Sequence, residues 1–374
     1  MSHDETRMSA RSAEQGEPIP PGGRPPRWSV RLLARLLRGF YFRHVHIVGA
    51  RQHPAQPRGG RLIVSSHRNG AIDGYTVLRA FPGVQGLVSV QLLQHPLLRW
   101  MFDGIAVVRE KDRQRYGIRR ATFANPVDAG CAQLRAGGDL LIFPEGSSEW
   151  SHRPLPYQRG AARIARTMLA EGASLELVPL GLHYRAPDQF RSDVEILVGA
   201  PLELPTRAGE ETDRDWEWRI HQAIAEALDA VSVNCPDPAG LAVVEAHATT
   251  VAASGGSYAQ AFIDAQQHLQ THQPLPTALP SQPMRAWPLD WLGVAAFVLL
   301  AAPVLLIGRI AGGKADARNT VSFFRMAGGL VAALLWLPCL LLATYGWPLP
   351  MLALWCAAAL GWWRWPNVMH RNAQ

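Results

Sequence analysis

Between Val45 and about Leu204 the apolar residues come in short runs, separated by stretches with helical spacing. The runs VHIVG, RLIVSS, GLVSV, GIAVV, DLLIFP, ELVPLGLHY and VEILVG predict strands. Helices are predicted around Tyr75–Phe81, Pro126–Ala136, Gly160–Glu171 and Asp213–Val231. Glu210 and Glu211 precede the last of these, where a helix N-terminus favours negative charge. Strands alternating with helices imply an α/β fold, a mixed and largely parallel sheet flanked by helices.

The pattern changes on both sides of this region. Residues 1–26 are polar and rich in Pro and Gly, with no apolar signal-peptide core, and are expected to be a disordered tail. In RWSVRLLARLLRGFYFRH, Val30, Leu33, Leu36, Leu37 and Phe40 fall at helical spacing, with Arg27, Arg31, Arg35 and Arg38 on another stripe. Such a basic amphipathic helix suits an anionic membrane surface or a packing face on its own domain. Ala239 to Gln270 reads as further helix broken at SGGS, and THQPLPTALPSQPMR as a proline-rich linker. Three apolar segments follow, Trp287–Ile307, Met326–Thr344 and Trp347–Trp363, each long enough or nearly so for a bilayer core of about 30 Å. No Asp, Glu, Lys, Arg or His occurs from Met326 to Trp363, and tryptophans cluster at the segment ends.

The expected organisation is therefore a tail (1–26), a catalytic domain with its amphipathic helix (27–235), a helical extension and linker (236–283), and a membrane region of two or three helices (284–374). Arg309, Lys314, Arg318 and Arg325 follow the first apolar segment, and Arg364 and Arg371 follow the last. Three full spans would put these residues across the membrane from the catalytic region. A first segment that is re-entrant or interfacial puts every basic stretch on the cytoplasmic side. The second arrangement is the one expected: an integral protein of the inner (cytoplasmic) membrane, its catalytic domain facing the cytoplasm.

The net charge of +7 fits anionic lipid or phosphorylated ligands, and beyond that charge nothing points to nucleic acid. The cysteines at 131, 235, 339 and 356 form no CxxC pair, so neither a disulfide framework nor a zinc site is indicated.

The candidate chemistry begins at RLIVSSHRNGAIDGYTV, where a short apolar run delivers the chain to His67 and Asp73 follows. A carboxylate bonded to one imidazole nitrogen leaves the other free as a general base for a hydroxyl. With no GxSxG elbow, that hydroxyl can belong to a substrate. In DLLIFPEGSSEW an apolar strand ends in Phe143-Pro144-Glu145-Gly146-Ser147-Ser148, whose glycine and hydroxyls suit the approach of phosphate oxygens. Arg109 closes another predicted strand and Arg159 opens a helix, and arginine is suited to bidentate phosphate recognition.

The order His67…Asp73, Gly104-Ile105…Arg109, Phe143-Pro144-Glu145-Gly146, Val178-Pro179-Leu180 resembles the four blocks of the glycerolipid acyltransferase superfamily, from about Phe40 to Leu204. Five residues separate His67 from Asp73 where the usual first block has four. That spacing, with FPEGSS, QRGAARIA and VPLGLHYRAPDQFRSDVEILVGAPL, is similar to the fungal glycerol-3-phosphate/dihydroxyacetone phosphate acyltransferase subgroup. The resemblance implies that His67 takes a proton from an acceptor hydroxyl as it attacks an acyl thioester, with Asp73 orienting the ring. It implies that Arg109 holds the acceptor's phosphate, that Glu145, Gly146 and Ser147 line the acceptor site, and that the Val178-Pro179 block serves the donor side and packing. It implies an acyl-CoA or acyl-carrier protein donor, a phosphorylated glycerol or lysophospholipid acceptor, membrane lipid as the setting, and no cofactor. Two alternatives stay open: another lysophospholipid or lipid alcohol as acceptor, and a lipid-binding membrane protein without turnover.

Overall fold

The computed structural model describes residues 19–49, 59–89, 96–107, 125–275 and 287–369. Arg109, most of the N-terminal tail and the core of the proline-rich linker lie outside the described residues.

All seven predicted strands are present: β1 (His44–Gly49), β2 (Gly60–Ser65), β3 (Gln85–Ser89), β4 (Ile105–Val107), β5 (Asp139–Ile142), β6 (Leu175–Tyr184) and β7 (Asp193–Val198). They form one sheet in the order β1-β7-β6-β2-β5-β3-β4. Every pairing is parallel except β6 with β7, so the sheet is mixed and largely parallel. Central strand β2 is buried along its whole length. Its side chains alternate between two cores, Ile63 on one face, Leu62 and Val64 on the other, as in a sheet covered by helices on both sides.

The described helices are α1 (Trp28–Tyr41), α2 (Ala71–Val77), α3 (Pro96–Met101), α4 (Pro126–Arg135), α5 (Gly160–Ala170), α6 (Asp213–Asp229), α7 (Pro238–Ala253), α8 (Tyr258–Gln270), α9 (Pro288–Gly312), α10 (Arg318–Gly346) and α11 (Pro348–Met369). Helix α6 is capped by Thr212, whose hydroxyl accepts from the Asp215 N–H. The predicted helix at Tyr75–Phe81 starts earlier, at Ala71, because Asp73 folds back on the Asn69 N–H and Gly70 supplies a positive φ of 53°. Past Val77 the chain continues as turns, not regular helix.

Helix α1 corrects the expected apolar stripe. Val30, Leu33, Ala34, Leu37 and Tyr41 face the core beside β2, whereas Trp28, Leu32, Leu36 and Phe40 form an exposed ridge at four-residue spacing. Two such leucines in a core contribute on the order of 1.5–3 kcal/mol each, so α1 is a structural part of the domain. Its packing and surface roles are carried by different residues.

Helices α9 and α10 are long and apolar enough to cross a membrane. At 1.5 Å per residue they measure about 38 and 44 Å, beyond a core of about 30 Å. Most of their apolar side chains face outward, Leu299, Leu334, Leu335 and Leu342 among them. Helix α11 lies against α9 where Gly361 meets the Gly293 backbone, a contact that any side chain at 361 would obstruct. Asp290 and Arg364 form a bidentate pair between the same two helices, at 2.9 and 3.0 Å.

Candidate active site

Strand register builds the site. Pairing Arg61 with Asp139 and Val64 with Ile142 brings the C-terminal ends of β2 and β5 out side by side. Continued three residues, this register sets His67 opposite Glu145. The contact is made there: the His67 N–H donates to the Glu145 carboxylate at 2.7 Å. The other Glu145 oxygen accepts from the Leu155 N–H at 3.2 Å. Glu145 is 6% exposed, and burial raises its pKa above the ordinary carboxylate value. The glutamate therefore ties three chain segments together at the mouth of the β2–β5 pair.

The His67 ring stacks on Phe143, centroids 4.3 Å apart and planes 18° from parallel. Its Nδ1 lies 2.9 Å from Asp73 Oδ2. Asp73 is fully buried and takes two further donors, the Asn69 N–H at 2.8 Å and the Tyr184 hydroxyl at 2.6 Å. An ionised carboxylate only accepts, so Nδ1 carries the proton and Nε2 keeps the lone pair. The imidazole side chain is 18% exposed, enough for a small group to reach it. Burial, with Asp73 beside it, raises the Tyr184 pKa well above the phenolic range, so that hydroxyl stays a donor.

The turn after β5 follows its composition. Gly146 adopts a φ of 67° and its N–H donates to the Phe143 carbonyl at 3.0 Å. Ser147 sits half-buried on this turn, and Ser148 accepts from the Asn319 side chain through both its carbonyl and its hydroxyl. The Gln158 N–H donates to the Pro144 carbonyl at 2.7 Å, which brings the start of α5 beside the turn. Arg159, next in sequence, is exposed, and its guanidinium lies over the Trp218 ring at 5.1 Å. The structure thus joins His67, Asp73, Glu145 and Ser148 in one cluster and gives Arg159 a partner on α6.

Sequence reasoning missed Asn69, Tyr184, Asn319 and Ser322. Tyr184 ends a strand that the sequence did show, and its polar tip in an apolar run was the available signal. Nothing local marked Asn319 or Ser322, which come from the first turns of α10, ahead of the expected apolar segment Met326–Thr344. Among the described residues no group of three or more His, Cys, Asp or Glu could hold a metal ion.

A base fixed by a buried acid at the carboxyl edge of a mostly parallel sheet is suited to removing a proton from a substrate hydroxyl. Residues 44–183 match the family model described as Acyltransferase, and this stretch of the chain is similar to that family. Glycerol-3-phosphate O-acyltransferase 1 of Saccharomyces cerevisiae is 31% identical over 136 residues, covering 33% of this chain and 18% of its own length. Glycerol-3-phosphate O-acyltransferase 2 of the same yeast is 31% identical over 118 residues, covering 30% of this chain and 16% of its own length. The matched stretch spans less than a fifth of either relative. Among solved structures, the 1-acyl-sn-glycerophosphate (LPA) acyltransferase PlsC of Thermotoga maritima aligns at 13% identity and TM-score 0.36, covering 60% of this chain and 83% of that one.

Proposed function

We propose that this protein is a membrane-bound O-acyltransferase of phospholipid biosynthesis. It moves a fatty acyl group from acyl-CoA or acyl-carrier protein to the hydroxyl of glycerol-3-phosphate or lysophosphatidic acid. The catalytic domain is residues 27–235, with 236–283 as extension and linker and 284–374 as membrane region. The observation that carries the reading is the His67–Asp73 pair, closed by a 2.9 Å bond with Asp73 wholly buried.

In this mechanism the acceptor hydroxyl gives its proton to His67 Nε2 as its oxygen attacks the thioester carbonyl carbon. Asp73 holds the ring and stabilises the imidazolium that forms. The tetrahedral adduct then collapses, the carbon–sulfur bond breaks, and the leaving thiolate takes the proton back from Nε2. Glu145 keeps the His67 backbone in place throughout. Glu145, Gly146, Ser147 and Ser148 border the acceptor, and Arg109 is the phosphate ligand of this reading, with Arg159 a second cation near the turn.

The membrane setting follows from product chemistry, since each buried methylene favours lipid by about 0.8 kcal/mol. The ridge Trp28-Leu32-Leu36-Phe40, with Arg31 and Arg35 nearby, suits the surface of an anionic leaflet. Ion pairing of Arg318 with Asp188 at 3.0 Å supports the catalytic domain lying on the side of the α9–α10 loop. That favours α9 in the interface and the basic residues on the cytoplasmic side of the inner membrane.

The test is a panel of glycerophosphate and lysophospholipid acceptors with one labelled acyl-CoA, run with wild type and His67→Ala. Transfer to a phosphorylated glycerol acceptor, abolished in a folded variant, is expected. Equal transfer by the two proteins would end the proposal.

A further inference from the structure

Helix α10 is apolar enough for lipid along most of its length, yet its first turns are seated on the catalytic cluster. The Asn319 amide donates to the Ser148 carbonyl at 2.7 Å and to the Ser148 hydroxyl at 2.9 Å, pinning the turn after β5. One helical turn on, the Ser322 hydroxyl donates to the Asn69 side-chain oxygen at 2.6 Å. Ser322 and Asn69 are both fully buried. The Asn69 N–H in turn donates to Asp73 Oδ2, the oxygen that holds His67 Nδ1. A side chain at Gly70 would come within 3.1 Å of the Asn319 carbonyl, so glycine there permits the close seat as well as the turn.

The seat is anchored on both sides. Arg318 lies 4.9 Å over one ring, Trp150, which Arg68 also covers at 4.3 Å, and Arg318 pairs with Asp188. Arg325 donates to the Asp188 carbonyl, and Met326 is buried in the core that contains Ile63 and Ile72. A helix needed only for attachment has no use for an amide and a hydroxyl aimed at a catalytic loop. Buried polar contacts of this kind fix one geometry, because leaving either partner unmatched costs about 1–3 kcal/mol.

We propose that α10 is part of the acyl-transfer apparatus, with Ser322 and Asn319 as positioning residues. Ser322 sets Asn69, Asn69 sets the Asp73 carboxylate, and Asp73 sets the His67 ring. Asn319 holds the Ser148 turn at its working distance from that ring. The inference rests on the reading of His67 as the base, and it adds that the site is complete only with the membrane helix seated.

The experiment uses the full-length chain in detergent micelles, as wild type, Ser322→Ala, Ser322→Thr and Asn319→Ala. Steady-state transfer is measured beside the rate at which diethyl pyrocarbonate modifies His67, followed by mass spectrometry. Ser322→Ala is expected to lower kcat about 10- to 100-fold, with KM for the acyl donor changed less than about twofold, since small misplacement of a catalytic group has effects of that order. It should also change the His67 modification rate several-fold, and Ser322→Thr should restore both. Asn319→Ala reads the second contact if Ser322→Ala fails to fold, and is expected to lower kcat in the same range. Wild-type kcat and modification rate in folded Ser322→Ala, or a loss that threonine does not restore, would overturn the proposal. A wild type without transfer on any acceptor, whose His67 still responds to Ser322→Ala, would remove the acyltransferase reading and leave the seat standing.

Discussion

At one end of the β2–β5 pair Arg61 meets Asp139; at the other, His67 meets Glu145 and Asp73. Both ends join a basic group to carboxylates, but the Arg61 end is buried whereas the His67 ring keeps an 18% exposed face. The Arg61 guanidinium forks onto both Asp139 oxygens at 3.0 and 3.1 Å. Arginine does not release its proton in a protein, so this end is a permanent clip that sets register. Six positions further along each chain segment, the proposed base is an imidazole whose second nitrogen is left over once Asp73 has claimed the other. The difference teaches that the clip supplies the alignment which the reactive end then uses. Strand register passes it on, because a one-residue slip would turn His67 to the other face.

The largest effect should come from the reactive end. His67→Ala removes the base and is expected to lower transfer about 10²- to 10⁴-fold, with a thermal midpoint close to wild type. A midpoint lowered as much as the activity would mean that this end is structural too, and the contrast would fail.

The clip should behave in reverse. Arg61→Met leaves Asp139 buried without its partner, which costs about 3–5 kcal/mol of stability, read by denaturant unfolding of the full chain in micelles. The double change Arg61→Met with Asp139→Leu should recover much of that loss. The surviving folded fraction of either variant should transfer acyl groups at a rate nearer wild type than His67→Ala does.

A third position sharpens the contrast, because His183 is a buried histidine whose ring bonds a backbone carbonyl, with Glu195 opposite it on β7. It is 1% exposed, and its Nε2 lies 2.8 Å from the Val231 carbonyl. Burial lowers its pKa from 6.5 to about 4. A histidine that resists protonation in the folded state stabilises fully above its ordinary pKa and loses that contribution as pH falls from 6.5 through 4. The loss is on the order of 3 kcal/mol by pH 4. Thermal midpoints against pH should show this fall in wild type and less of it in His183→Gln, while an identical profile would contradict the assignment.

The smallest effect belongs to Arg135 and Glu171, a pair with the same forked geometry at 2.7 and 2.8 Å but on the surface. With side chains 47% and 42% exposed, water already solvates both partners. Arg135→Ala should leave the thermal midpoint nearly unchanged, and a shift as large as that of Arg61→Met would show that burial is not what separates the two pairs.

Much of this was legible in the chain. Each of the seven strands gave a local apolar run, and His67, Asp73 and the turn at Phe143–Gly146 stood out because polar or turn-forming residues interrupt such runs. The two backbone N–H bonds of Glu145 were not legible, since a glutamate after a strand reads the same with or without them. The split of α1 into a buried and an exposed apolar face was hidden as well. Leu33 and Leu36 are alike in sequence, and only the neighbouring core decides between them. Asn319 and Ser322 were out of reach because their partners are set by tertiary docking across most of the chain.

That last contact also fixes when the protein can begin to work. Asn69 and Ser322 lie 253 positions apart, so the loop behind the catalytic ring emerges from the ribosome long before its partner. At about 5–20 residues per second the interval is roughly 10–50 s, during which the growing chain holds its reactive histidine beside an unfinished wall. If α10 completes the site as proposed, synthesis itself delays that completion until the apolar C-terminal segments have been made.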